Sequence, residues 1–361
     1  MKKFLSSLSR KDVRAGEAAE TPQPTPNAPG VVQGWRRREL QRLASRPAII
    51  PFCLLVLVTV IFWQANSAFV TGLNISGMLA YAPELGLVAL GMTLLLTAGQ
   101  FDLSVGAVFG AVPLLVFVLV NKLAMPLVLA ILIGLLLAAA IGATNGVLVT
   151  KFGISSFLVT LSTQLIVGGG ALYLSSGFPQ DTLQDKSAVR NLISGTVHIG
   201  NLTIYAGLIW FLVLALACAY LLTQTRIGNW ITASGGNREA AEARGINTTR
   251  LTIALFIAAS CFAGLAGIIS DSRLDLAYPT AGTGYELQAI AIAVVGGTSL
   301  FGGSGTITGT LIGALLLQEI NNGVVLVGVP GLAYNMFVGA IILIAMLLQS
   351  GLKKLQVDGR A

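Results

Sequence analysis

The feature that most constrains this chain is its series of long apolar runs. Each run has about twenty residues, the length that an α-helix needs to cross the roughly 30 Å hydrocarbon core of a bilayer. Only 10% of the residues are charged, whereas a soluble domain carries about a quarter. Because one buried core cannot account for so few charges, the sequence predicts an all-α integral membrane protein.

Polar breaks divide the apolar sequence into about ten membrane spans. The predicted spans cover residues 48–64, 76–98, 103–121, 125–149, 154–175, 202–223, 251–270, 286–302, 305–326 and 332–349. Two Gly-rich breaks, 97–107 and 294–306, indicate broken or re-entrant helices at those points.

A weak internal similarity relates residues 91–111 to residues 296–314. Both segments start with Gly-x-Thr and finish with Gly-Ala. With five spans in each half, this similarity predicts an inverted repeat, an arrangement in which transporters place the pathway at the repeat interface. Chance similarity in a sequence rich in Gly, Ala and Leu is the alternative.

The first 46 residues differ from the rest of the chain. They hold ten of the 22 Lys and Arg residues and a Pro-rich polar stretch, which predicts a disordered basic cytoplasmic tail. The membrane domain then covers 47–351, and a short cytoplasmic tail covers 352–361. With both termini inside, 18 of the 22 basic residues lie on the cytoplasmic side, in agreement with the positive-inside rule.

No motif for catalysis or metal binding stands out. The chain has no GxxxxGK[ST] phosphate-binding loop, no HExxH and no GxSxG in the required context, so we expect neither ATP hydrolysis by this chain nor catalytic residues. Cys53, Cys218 and Cys261 lie inside apolar runs and are expected to be packing residues. His198, the only histidine, is expected to be a loop residue.

One charged segment, TASGGNREAAEARGINTTRL at 232–251, interrupts the apolar sequence. Asn237 can cap a helix, Glu239 in its first turn and Arg244 in its last complement the helix dipole, and Gly245 is a C-terminal stop. A helix of about two turns is unstable alone. The pattern therefore predicts a helix that docks on another surface, and an ordinary interfacial loop helix is the alternative.

Three segments resemble a known family. EAAEARG at 239–245 matches the EAA-x-x-x-G pattern in the coupling loop of ABC importer permeases, and residues 96–108 and 279–316 resemble the sugar-type permeases of ribose, xylose, galactose and autoinducer-2 import systems. The likeness covers about 50–349.

This resemblance implies the permease subunit of an importer in the bacterial inner membrane, carrying a monosaccharide or similar small polyol. Its expected partners are a cytoplasmic ATPase that holds ATP and Mg²⁺, a periplasmic binding protein, and a second permease copy or paralogue. The lipid bilayer is also an expected partner, and nucleic acid is not. The residues expected to contact the ATPase are Asn237, Arg238, Glu239, Ala240, Ala241, Glu242, Arg244 and Gly245.

Polar residues inside the spans are candidates for a translocation pathway or gate, because intramembrane polar groups are costly and usually face a partner or water. The candidates are Gln100, Asp102, Ser104, Thr163, Gln164, Glu319, Asn321 and Asn322. Helix capping and polar contacts between helices are the alternative roles. A proton-coupled secondary transporter that uses Glu84, Asp102 or Glu319 is the alternative function.

Charged residues in the outer loops are candidates for docking the binding protein. We single out Arg273 and Asp275, with a solvated rim as the alternative.

Overall fold

A computed structural model describes residues 48–330, except 182, 184 and 186, together with 336, 337, 339, 340 and 343. The two predicted tails, 1–46 and 352–361, and most of the predicted tenth span, 332–349, lie outside the described residues.

The described part of the chain is predominantly helical, as the apolar runs predict. Its helices, in chain order, are α1 (Ile49–Ala65), α2 (Gly72–Thr97), α3 (Val105–Leu123), α4 (Leu127–Lys151), α5 (Ser156–Ser175), α6 (Ala188–Ser194), α7 (Ala206–Gln224), α8 (Arg226–Gly236), α9 (Arg238–Ala243), α10 (Thr248–Leu274), α11 (Tyr285–Val295) and α12 (Ile307–Leu326). A 3₁₀ turn covers Ser67–Val70.

Seven of the described helices are long and apolar enough to cross a membrane: α2, α3, α4, α5, α7, α10 and α12. The apolar helices α1 and α11 are shorter. The chain is thus a multi-pass membrane protein, and the inverted repeat within it stays a prediction. The two segments that suggested the repeat begin differently, since Gly91 lies inside α2 whereas Gly296 follows the end of α11.

The centre of the bundle is formed by α2 and α10. Most of α2 is buried, as expected for a helix that is apolar on every side. Small residues let α10 approach its neighbours closely. A Cβ atom at Gly142 of α4 would lie only 2.5 Å from the carbonyl oxygen of Phe256 in α10.

Two predicted spans differ from the structure. The span predicted at 202–223 begins as a strand, because β3 (Leu202–Tyr205) pairs with β2 (Thr196–Ile199) across a two-residue turn, and α7 starts only at Ala206. A second short ladder joins β1 (Gln180–Asp181) to β4 (Leu276–Ala277). The span predicted at 286–302 is helical only up to Val295, where the 11-residue α11 ends, because the chain leaves the helix through Gly297 at φ +95°.

Candidate functional site

The charged segment folds as the short helix α9, as its capping residues predict. Asn237 Oδ1 accepts a hydrogen bond from the Ala240 N–H over 2.9 Å, which confirms the N-cap. Gly245 has φ +83° and donates to the Glu242 carbonyl over 2.9 Å, which confirms the stop. Arg244, expected in the last turn, lies just beyond the last helical residue.

The two faces of α9 have different surroundings. Ala241 is 3% exposed and packs toward the permease itself, whereas Glu239, Ala240 and Arg244 are exposed. Of the two alanines expected to contact the ATPase, Ala240 is therefore accessible and Ala241 is covered, since consecutive helical residues do not point the same way. The other residues predicted to contact the ATPase are all exposed.

Glu242 ties α9 to the start of α10. Its carboxylate accepts a hydrogen bond from the Thr248 hydroxyl and pairs with Arg238 Nε over 3.0 Å. The Thr248 hydroxyl first, and Arg238 second, lower the pKa of Glu242 from its ordinary 4.5. A carboxylate whose pKa is lowered by folding stabilises the folded protein at a pH above its unfolded pKa. This stabilisation is lost as the pH falls through the folded pKa. The contact is therefore intact at neutral pH.

The two Gly-rich breaks meet at the end of α8. The Gly303 N–H donates to the Thr97 carbonyl over 2.9 Å, and a Cβ at Gly302 would lie 2.9 Å from the Cα of Gly99. A Cβ at Gly235, near the C-terminus of α8, would lie 2.7 Å from the Gly303 nitrogen. Three backbone segments therefore pack directly against one another next to the short helix α9.

The predicted pathway residues at the first break form a buried polar network. Ser104 donates from its N–H and its hydroxyl to Asp102 Oδ1, over 2.8 and 2.6 Å. Asn145 of α4 donates to the Ser104 hydroxyl over 2.9 Å and accepts from the Thr163 hydroxyl over 2.7 Å. Gln100 lies in the same break, where its N–H closes the end of α2. Asn145 was not among the predicted pathway residues, although an amide inside an apolar run indicates a buried polar contact.

Replacing Asn145 with alanine is expected to destabilise the fold by about 1–3 kcal/mol, because it leaves buried hydroxyls without their amide partner. The exposed neighbour Thr144, whose hydroxyl bonds only to the carbonyl of Ala140 in its own helix, provides the matched control, and Thr144→Ala should cost less than about 0.5 kcal/mol. Titration of the purified protein from mild detergent into SDS measures both. Equal losses would contradict the network.

A second polar contact joins α5 to α11. Gln164 donates to Glu286 Oε1 over 3.0 Å, and Glu286 is 7% exposed beside Gly106 of α3. Glu286 is the first residue of the span predicted at 286–302 and was not among the predicted pathway residues. We call the combined set the polar belt, and its members are Asp102, Ser104, Asn145, Thr163, Gln164 and Glu286.

The predicted pathway residues of α12 make their contacts elsewhere. Glu319 accepts from the Thr59 hydroxyl of α1 over 3.0 Å, and Asn322 exchanges two amide hydrogen bonds of 2.9 Å with Asn74 of α2. These two residues join helices, the role left open as their alternative. Asn321 instead lines a polar cavity of ≈ 100 Å³ between α2, α11 and α12.

The two predicted docking residues are both paired. Arg273 forms an ion pair with Glu84 of α2, with side chains 11% and 5% exposed, and its guanidinium lies 4.1 Å from the centre of the Tyr81 ring. The side chain is thus largely buried and engaged with α2, and its role in docking stays a prediction. Asp275 pairs with Arg190 over 2.8 Å and is partly exposed.

A larger cavity of ≈ 950 Å³ lies between α6, α7 and the end of α10. Its lining includes Asn191, Trp210, Ser272 and Arg273. An aromatic ring with a few polar groups around it is the usual lining of a site for a small polar molecule.

These features are typical of a protein that transports a solute and not of an enzyme. Polar groups are buried along helices that cross the bilayer, while the charged loop helix α9 stays exposed. That is the class of the membrane permeases. A family model described as "Branched-chain amino acid transport system / permease component" matches residues 74–347, and the chain belongs to this family.

Similar proteins are sugar permeases. The chain is 39% identical to the ribose import permease protein of Escherichia coli (strain K12) over 306 residues, covering 83% of this chain and 92% of that protein. It is 38% identical to the ribose import permease protein of Bacillus subtilis, covering 82% and 91%, and 32% identical to the xylose/arabinose import permease protein of Sulfolobus acidocaldarius, covering 82% and 83%. No solved structure matches the chain significantly.

Proposed function

We propose that this chain is the transmembrane permease subunit of an ABC importer for a monosaccharide or a similar small polyol. The observation that carries the proposal is the similarity, along most of the chain, to proteins named as import permeases for ribose, for xylose and arabinose, and for D-allose. A cytoplasmic ATPase would hold ATP and Mg²⁺, and a periplasmic binding protein would deliver the sugar. Two copies of this chain, or one copy and a paralogue, would form the pore in the inner membrane, with both termini cytoplasmic.

The polar belt is our candidate for the part of the pathway that the sugar contacts. Its hydroxyl, amide and carboxylate groups can exchange hydrogen bonds with sugar hydroxyls. Asp102 Oδ2 and Glu286 Oε2 are buried and have no hydrogen-bond partner among the described residues. Two such acceptors, supplied by α11 and by the break before α3, suit a passing hydroxyl-rich solute.

The exposed face of α9 is our candidate for the ATPase contact. Among the residues that the structure describes, α9 is held to the bundle mainly by the buried Ala241 and by the Glu242–Thr248 hydrogen bond. A displacement of α9 would be transmitted to the two Gly-rich breaks through Gly235, because the backbone of α8 contacts both breaks at this residue. This contact would connect ATP hydrolysis outside the membrane with the polar belt inside it.

Gly235→Ala is expected to lower sugar uptake about tenfold, the size of a typical coupling between two sites, because the new methyl group cannot fit between Thr97 and Gly303. Gly236→Ala is the matched control, since its Cβ would meet Gly303 at an ordinary 3.8 Å. Uptake of a labelled sugar by cells that carry each variant measures the effect. Equal uptake by the two variants would contradict transmission through this contact.

Uptake assays test the function itself. Cells that lack their own sugar permeases would express this chain with a candidate ATPase and a candidate binding protein from the same organism, and would be offered labelled pentoses and hexoses. We expect at least one sugar to be taken up. Its uptake should require all three proteins and should continue when an uncoupler is added at constant ATP. A proton-coupled transporter would be identified instead if the uncoupler abolished uptake and deletion of the ATPase left it unchanged.

A further inference from the structure

We infer that a groove between α3, α4 and α5 binds one acyl chain of an anionic phospholipid, whose phosphate lies at Lys122. The groove has a volume of ≈ 360 Å³. It lies outside the polar belt, and neither the family relationship nor the proposed transport function accounts for it.

The floor of the groove is a single stripe of α3. Ala111, Leu114, Leu115, Val118 and Lys122 follow the spacing of one helical face. The eleven steps from the first to the last of them span about 16 Å along the helix axis. One leaflet of a bilayer has a hydrocarbon depth of about 15 Å, so the stripe has the length of an acyl chain that lies along it.

The walls leave the groove open toward the lipid. Leu137 of α4 is 37% exposed and Leu174 of α5 is 75% exposed, and both line the groove. Between them lies Gly170, where an added Cβ would meet nothing within 4 Å. A larger residue at this position would occupy the space, so the glycine keeps the groove open.

Lys122 supplies the charge at the end of the groove. It is exposed in the last turn of α3, and it makes no ion pair with a described residue. Arg190 and Arg273, by contrast, are each paired with a carboxylate. A cation at the end of a helix is favourable in any case, but here it also lies at the rim of an apolar groove of acyl-chain length. An anionic headgroup complements that charge.

Native mass spectrometry of the full-length permease, purified in mild detergent and titrated with phosphatidylglycerol or phosphatidylcholine, tests the site. We expect a preference of about fivefold for phosphatidylglycerol, which one lysine near the surface can supply. Lys122→Gln should remove the preference and Lys122→Arg should keep it. Gly170→Leu should weaken the binding of both lipids, whereas Gly169→Leu should bind as the wild type does, because its position is equally open but does not line the groove.

Three results would overturn the proposal. The first is a Lys122→Gln variant that keeps the preference for phosphatidylglycerol. The second is equal retention of lipid by the Gly170→Leu and Gly169→Leu variants. The third is a Gly170→Leu variant that changes the mass of the permease oligomer while its lipid count stays the same, which would assign the groove to a second copy of the chain.

Discussion

Arg273→Ala is expected to destabilise the folded permease by about 3–5 kcal/mol, the cost of removing one partner of a buried ion pair. The substitution leaves Glu84, which is 5% exposed, without its counter-ion in the middle of the bundle. Asp271 is 1% exposed and lies close enough to interact electrostatically with both groups. Without the guanidinium, two buried carboxylates would therefore face each other.

Unfolding in SDS, followed by tryptophan fluorescence, measures this loss. The double variant Glu84→Gln, Arg273→Met should recover at least half of the stability, since neither an unpaired charge nor a large cavity remains. Arg238→Ala serves as the control, because its pair with Glu242 is 42% and 49% exposed, so that water screens the two charges and the loss of stability should be far smaller than for Arg273→Ala. If Arg273→Ala lowers the free energy of unfolding by less than about 1 kcal/mol, the Glu84 carboxylate is hydrated or paired with another group in the variant.

Features that depend on neighbouring residues in the sequence were predictable. The span predicted at 125–149 is found as Leu127–Lys151, because a continuous apolar run in a bilayer has to satisfy its backbone as a helix. The short helix α9 was predicted with both of its ends, since a cap and a stop act within a few residues. Neither inference needs to know how the helices pack.

Features that depend on packing were not predictable. Glu84 and Arg273 are 189 residues apart in the chain, so no local pattern pairs them, and Arg273 was expected at an outer docking surface. Asn145 and Glu286 join the polar belt only because α4 and α11 are placed beside the first break. The Gly-rich break at 294–306 did indicate that a helix ends there, but the last helical residue of α11, Val295, depends on the packing of the break and on φ at Gly297.

The double variant Glu239→Lys, Gly245→Pro is expected to lower ATP-driven uptake by at least about tenfold while the membrane helices stay folded. Lysine reverses the charge in the first turn of α9, where a negative group complements the helix dipole. Proline cannot adopt φ +83° and removes the N–H that bonds to Glu242. Uptake, co-purification of the ATPase and unfolding in SDS are measured on the same preparations.

The contrast with Gly245→Asn separates a docking role from a purely structural one. Asparagine tolerates the left-handed conformation and keeps its N–H, so this variant should transport and assemble much as the wild type does. Because α9 is held to the bundle by few contacts, the double variant should unfold in SDS at the wild-type concentration while it loses the ATPase. Loss of fold together with uptake would make α9 a structural element, and normal assembly with normal uptake would place the ATPase contact elsewhere on the cytoplasmic surface.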